Sequence, residues 1–287
     1  MEVPENLNWL RQTSSGRDWL AHLPTMMTEL CAIWGLEVEG APYSGGSVSL
    51  VVPVLRSGEP CVLKIQWPHN ESAYEADALM AWNGIGAVKL LDHDRKRHAL
   101  LLEKCVPGRF LYESTSTDQI GVVIDLLPRL WIKADGPFET IHTEVRQWMH
   151  SIPDAWLAAG KPCEWRLVNA AMIYAESLSE NQGKPVLIHQ DLHGGNIISA
   201  EREPWLVIDP KPLIGECELS LAPIVRSAEF GHSEDAAITR LNRITEALEL
   251  DRERAIGWTV LQTMAWSFDG QFDERNAELV RWLLAAR

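Results

Sequence analysis

The chain has 287 residues, 46% of them hydrophobic, which is enough to fill one large domain or two modest lobes and excludes a disordered chain as the default. Its formal net charge of -14, from 40 acidic and 26 basic residues, argues against nucleic acid or an anionic membrane surface as a partner and fits either a cationic small-molecule ligand or simple solubility. Five scattered cysteines (Cys31, Cys61, Cys105, Cys163, Cys217) show no close pair and no metal-ligand spacing, which points to reduced thiols in a cytoplasmic protein.

The first residues lack a basic stretch followed by an apolar run, and no apolar run approaches the ~18 residues of a spanning helix, so a chain without a membrane segment is expected. Residues 18–36 carry apolar side chains at helical spacing, with Pro24 expected to start or kink the helix. Residues 47–55 and 61–67 read as a β-hairpin around the turn at 56–60. A helix over 71–82, strands over 87–91 and 99–102, and a polar turn over 92–96 follow. Past Pro107-Gly108 the pattern is mainly helical, with candidates at 117–131, 143–159, 164–181, 234–249, 252–268 and 273–286. The expectation is an α+β chain with a small antiparallel β-rich lobe over 1–103 and a larger, mainly helical lobe over 104–287.

The most informative stretch is Val186-Leu-Ile-His-Gln-Asp-Leu-His-Gly-Gly-Asn-Ile-Ile198, followed by Leu206-Val-Ile-Asp-Pro210. Short apolar runs at 186–188, 197–198 and 206–208 read as buried strands, which puts Asp191 and Asn196 in a loop and Asp209 at a strand end. Transfer of a terminal phosphoryl group asks for a carboxylate to take the acceptor hydroxyl's proton and for hard oxygen ligands to hold magnesium. Asp191 can supply the first, and Asn196 with Asp209 the second, while pairing one amide with one carboxylate limits like-charge repulsion. A single Asp or Asn here could be an ordinary turn residue, but four residues in this order between buried strands favour chemistry.

His189, Asp191 and Asn196 match the His-x-Asp-x-x-x-x-Asn catalytic loop of the protein-kinase-like fold, and Asp209 matches its metal-binding aspartate. Pro210 and Lys211 stand where protein kinases have Phe-Gly. The wording resembles the aminoglycoside phosphotransferases, and Ile208-Asp-Pro-Lys-Pro-Leu-Ile-Gly-Glu216 resembles their streptomycin 6-kinase branch, grouped as aminoglycoside/hydroxyurea resistance kinases. The resemblance implies a two-lobe kinase-like fold using ATP and magnesium. It implies further that Lys64, in the apolar strand Val62-Leu-Lys-Ile65, binds nucleotide phosphates, although a lone lysine in a strand is ordinarily an outward-facing charge. Glu75, eleven residues on, is placed to brace Lys64, with Glu71 one turn earlier on the same face able to substitute. The turn around Ser47 (Ser44-Gly-Gly-Ser47) reads equally as a plain hairpin turn and as a phosphate cradle, and main-chain groups near Glu103 and Cys105 are candidates for adenine.

For the acceptor, a polycationic aminoglycoside needs carboxylates and aromatic faces near Asp191. Glu216, Glu218, Glu229, Asp269, Asp273 and Glu274, with Trp258, Trp266 and Trp282, are available, and Glu216, Glu218 and Asp269 rank first by their place near the metal strand or in a helix-ending turn. The implied function is ATP-dependent phosphorylation of an aminoglycoside hydroxyl, streptomycin at its 6-hydroxyl first, by a monomer. A kinase of a sugar, amino alcohol or hydroxyurea on the same fold is the alternative, and a non-catalytic nucleotide-binding module is another; the complete set Lys64, Asp191, Asn196 and Asp209 argues against the last.

Overall fold

Apolar residues at three- and four-residue intervals make the first long element an amphipathic helix, α1 (Ser14–Trp34), whose N-terminus is capped by Thr13 Oγ1 accepting from the Gly16 N–H and which ends at Gly35 with φ 63°. Pro24 lies inside this helix and does not start it, at the cost of one backbone hydrogen bond. The computed structural model describes residues 3–69, 73–180, 183–268, 270 and 272–286. The chain divides into two units, Met1–Gly108 and Arg109–Arg287, a few residues beyond the Glu103 boundary read from the sequence.

In the first unit, β1 (Leu36–Val38), β2 (Ser49–Arg56) and β3 (Glu59–Gln66) precede α2 (Glu75–Trp82), and β4 (Leu90–Asp94) and β5 (Ala99–Glu103) follow it. They form one antiparallel sheet in the order β1-β2-β3-β5-β4. Ser57 and Gly58, both with positive φ (54° and 84°), join β2 to β3 in a two-residue turn whose twist suits a hairpin. The polar residues Asp92 to Asp94, expected as a turn, are strand instead. They pair with Leu101 to Ala99 at the sheet edge, where polar side chains meet water without loss.

Side chains alternate across a strand, and this sets up the unit's chemistry. Leu63 and Ile65 of β3 and Leu101 of β5 join Trp19, Leu23 and Leu30 of α1 in one apolar core. Lys64, lying between Leu63 and Ile65, therefore projects from the opposite face of the sheet.

A short strand, β6 (Pro107–Phe110), runs into the second unit, where its Arg109 N–H is bonded to Ser199 Oγ at 2.9 Å. Helices α3 (Gln119–Leu130), α4 (Ile141–Ala158) and α5 (Trp165–Glu180) come next. Four short strands follow: β7 (Val186–Ile188), β8 (Ile197–Ala200), β9 (Trp205–Val207) and β10 (Leu213–Gly215). Then come α6 (Leu221–Arg226), α7 (Glu234–Ala247), α8 (Arg252–Trp266) and α9 (Glu274–Ala285). Helix α8 is buried without interruption from Ala255 to Met264, as befits a helix at the centre of a bundle. It packs against α5 and α6, and Gly257 permits the close approach, because a Cβ there would sit 2.6 Å from the Tyr174 ring. Pairing of β7 with β10 and of β8 with β9 brings the ends of two loops together. Among the described residues no helix is long and apolar enough to cross a membrane.

Candidate active site

The loop between β7 and β8 carries Asp191 and Asn196, and the loop after β9 carries Asp209. Three backbone bonds fasten them: Asp191 N–H and Lys211 N–H both donate to the His189 carbonyl (2.8 and 3.0 Å), and Ile208 N–H donates to the Asn196 carbonyl (3.0 Å). Asn196 Nδ2 donates to the Asp191 carbonyl at 2.8 Å, which fixes the amide and presents its oxygen as the remaining polar group. His189 is 2% exposed and its Nε2 lies 2.9 Å from the Ile208 carbonyl, so that nitrogen carries the proton. Burial pushes the imidazole down to about 4, against the opposing pull of the Ile208 carbonyl and nearby carboxylates. It is a neutral brace between the two loops, not a proton carrier.

Two backbone conformations mark the loops. Gln190 has φ 60°, and the bond from Asp191 N–H to the His189 carbonyl closes a tight three-residue turn around it, a conformation that costs free energy. Gln262 of α8 holds this turn by donating to the Gln190 carbonyl at 3.2 Å. Asp209 has φ 55°, a left-handed conformation that aspartate tolerates better than most side chains.

Asp191 opens onto a cavity of about 340 Å³ whose other walls include His193, Arg226, Glu229, His232 and Asp273. Beside it, Lys211 Nζ lies 3.3 Å from Asp191 Oδ2 and 4.8 Å above the Trp266 ring centroid, with the Arg226 guanidinium 4.7 Å from the same ring. Burial lowers Arg226 to about 10 while the Asp191 charge opposes the shift, so it remains cationic at neutral pH.

His193 Nδ1 lies 3.0 Å from Glu229 Oε2. Burial pulls this imidazole down, but the hydrogen bond and charge of Glu229 outweigh it and hold His193 above its ordinary value. Burial likewise favours a neutral Glu229, yet His193, the Gly195 N–H and Ser227 Oγ together keep the carboxylate below its usual range. Arg240 sets the position of this wall. Buried at 3% exposure on α7, it donates four hydrogen bonds, to the carbonyls of Val225, Ser227, Phe230 and Gly231, at 2.7 to 3.1 Å.

In the first unit, Lys64 Nζ lies 2.8 and 2.7 Å from the two Glu75 oxygens, and Gln66 Nε2 donates to Oε2 at 2.6 Å. Lys64 and Glu75 are 5% and 1% exposed. Glu75 stands in the first turn of α2, where the helix dipole favours a carboxylate, and it is the partner of Lys64; Glu71 lies outside the described residues. The glycine turn is anchored from the N-terminal 3-10 helix (Glu5–Gln12), with Asn6 Nδ2 bonded to the Gly46 carbonyl and Trp9 Nε1 to the Ser47 carbonyl at 2.8 Å. The Glu103 carboxylate accepts from the Lys89 N–H at 2.8 Å, and Cys105 is a half-buried thiol.

The sequence model of the aminoglycoside/hydroxyurea antibiotic resistance kinases matches residues 33–269. The chain belongs to that family. It is 37% identical over 285 residues to a streptomycin 6-kinase of Streptomyces glaucescens, covering 94% of this chain and 92% of the relative. It is 36% identical over 287 residues to a hydroxyurea phosphotransferase of Kitasatospora aureofaciens, covering 94% and 82%. Among solved structures, a thermostable mutant of the aminoglycoside phosphotransferase APH(4)-Ia, in a ternary complex with ADP and hygromycin B, superposes with a TM-score of 0.63 at 13% identity. That match covers 90% of this chain and 96% of the other, and it shows the shared protein-kinase-like fold.

The two described acceptor residues ranked first by sequence, Glu216 and Glu218, lie away from this cavity. Glu216 is 2% exposed and fully engaged: it accepts from Arg254 Nη2 at 2.8 and 2.9 Å, from Trp258 Nε1, and from the Gly183 N–H at 2.7 Å. It braces α8 and does not line the cavity. Glu218 accepts from the Asp251 N–H at 3.3 Å and is absent from the cavity wall as well. Asp269 lies outside the described residues. Of the wider acidic set, Glu229 and Asp273 line the cavity. Lys211, Arg226 and Arg240 had no site role from sequence. The available signal was an arginine on an apolar stripe, since Arg240 shares its face of α7 with Ala237, Leu241 and Ile244.

Proposed function

We propose that this kinase transfers the terminal phosphoryl group of ATP to a hydroxyl of a cationic aminoglycoside, with streptomycin at its 6-hydroxyl as the first acceptor, and that it acts in the cytoplasm. The observation that carries the reading is Asp191, which opens onto a cavity with Glu229 and Asp273 in its walls while its loop is fastened to those of Asn196 and Asp209. Asp191 orients the acceptor hydroxyl and takes its proton. Glu229 faces the acceptor's positive groups, beside Asp273, which is paired with Arg275 at 2.6 Å in the same wall. Lys64, braced by Glu75, takes the nucleotide phosphates, the Ser47 turn covers them, and main-chain groups at Glu103 and Cys105 receive adenine, the Glu103 carboxylate being engaged with Lys89.

The donor set fits magnesium. One amide oxygen and one carboxylate, from Asn196 and Asp209, are hard ligands, and among the described residues no cluster of three His, Cys, Asp or Glu side chains competes for a softer ion. Asn196 and Asp209 would hold such a cation, which would supply positive charge against the phosphates.

The test is incubation with magnesium, ATP and a panel of streptomycin, kanamycin, hydroxyurea and simple polyols, read by the mass of one added phosphate. Streptomycin gains that mass, and Asp191→Ala lowers the rate by about 100- to 10,000-fold. Turnover of hydroxyurea alone would establish the second reading, which rests on the 36% identical hydroxyurea phosphotransferase. Full activity of Asp191→Ala would refute the mechanism.

A further inference from the structure

We propose that Lys211 is a catalytic residue of the phosphoryl transfer, an ammonium that first holds the Asp191 carboxylate and then takes the charge of the transferred phosphoryl group. The proposal rests on the role of Asp191 stated above and adds a second reacting contact to it.

Cations are the scarcer charge in this chain, yet two converge beside its central carboxylate. Lys211 Nζ lies 3.3 Å from Asp191 Oδ2, and its own N–H is tied to the His189 carbonyl that also receives Asp191 N–H. Trp266 offers its ring to Lys211 at 4.8 Å and to Arg226 at 4.7 Å. Arg226 is further held by Gln262 Oε1 at 3.3 Å. Backbone tether, ring and carboxylate together fix a flexible side chain before any substrate arrives, which is the condition under which a charged donor stabilises a transition state.

The charges then move in one direction. The acceptor hydroxyl gives its proton to Asp191 while its oxygen forms the new bond to the γ-phosphorus. The bond from that phosphorus to the β,γ-bridging oxygen breaks, and its electron pair leaves with ADP. As the proton arrives, the Asp191 carboxylate becomes neutral and its attraction for Lys211 falls. Negative charge is now concentrated on the phosphoryl oxygens next to Asp191, and the ammonium turns to them.

The test compares Lys211→Ala and Lys211→Arg with the wild type on any acceptor the enzyme turns over, water included. Lys211→Ala is expected to lose about 100- to 1,000-fold in kcat, with KM for ATP and acceptor within about threefold. Ethylammonium is expected to restore part of the loss, Lys211→Arg to keep an intermediate rate, and both variants to melt with the wild type. A kcat within about threefold of wild type overturns the proposal. So does a loss confined to the acceptor KM, or one that neither ethylammonium nor arginine repairs. A wild-type protein with no phosphotransfer, to water or any acceptor, overturns the proposed function and this inference together. Wild-type turnover with an unimpaired Lys211→Ala overturns only the inference.

Discussion

Replacing Glu75 by alanine isolates the buried ion pair of the first unit. Both partners are almost wholly excluded from water, with 5% and 1% exposure and N–O distances of 2.8 and 2.7 Å. At this separation and an effective dielectric of about 20, their attraction is on the order of 6 kcal/mol. Removing both charges from water costs several kcal/mol per ion, so the intact pair contributes little net stability relative to an apolar pair of similar volume. Deleting one partner is different, because Lys64 stays buried without the bidentate carboxylate it is packed against and Gln66 Nε2 loses the Glu75 oxygen it donates to. The expected loss is about 3–5 kcal/mol. With a urea slope of about 2 kcal/mol per M, the unfolding midpoint of that unit, followed by tryptophan fluorescence, falls by roughly 2 M. The double variant Lys64→Met/Glu75→Leu is expected to recover most of the stability and none of the phosphotransfer. A single variant that loses under about 1 kcal/mol refutes the account of the buried pair, and a stable, active double variant refutes the role of Lys64.

His189 makes stability depend on acidity. Its folded value of about 4 lies below the ordinary 6.5, so its contribution, about 3 kcal/mol, is complete above pH 6.5 and disappears as pH falls to 4. Melting curves over that range should show a steeper acid decline for the wild type than for His189→Gln. The His193 and Glu229 pair behaves differently at its two ends. His193 is raised, so its share is present below pH 6.5 and fades as pH climbs through its folded value, while Glu229 is lowered and its share fades only in acid. For side chains 32% and 30% exposed the whole effect stays under about 1 kcal/mol, which His193→Asn against wild type at pH 6 and 9 would measure. Arg240→Met strands four carbonyls and is expected to cost on the order of 3–5 kcal/mol in denaturant titrations, with a raised acceptor KM even where the protein remains folded. Glu229→Gln should raise the acceptor KM by about tenfold and leave that of ATP unchanged, since a charged hydrogen bond contributes about 1.5–3 kcal/mol; an unchanged acceptor KM removes Glu229 from recognition.

The loops proposed to react were legible because their residue types occur in a fixed order between apolar runs, and strands β7, β8 and β9 formed where those runs lie. The long helices were legible from their periodicity. What escaped was set by pairing at a distance. The polar residues of β4 become strand only because β5 lies beside them, and β10 becomes strand only because Leu213 to Gly215 find Ile188 to Val186. That second pairing also sets where Glu216 lies. Closeness in sequence to Asp209 suggested the site, but the residue follows the end of β10 and turns inward to Arg254 and Trp258. Lys211 and Arg226 carry no periodic signal that marks them, and their convergence on Trp266 brings a third residue from 40 positions beyond Arg226.

The Arg240 clamp has a consequence for how this enzyme can diversify. All four of its bonds go to main-chain carbonyls, so it recognises the path of residues 225–231 and none of the side chains they carry. Ala228 and Glu229 face the cavity from that path. Their side chains can be exchanged while the anchor persists, and the loop that carries Asp191 need not change with them. Such a separation would let one scaffold serve acceptors as unlike as the aminoglycoside and the hydroxyurea in the family's description.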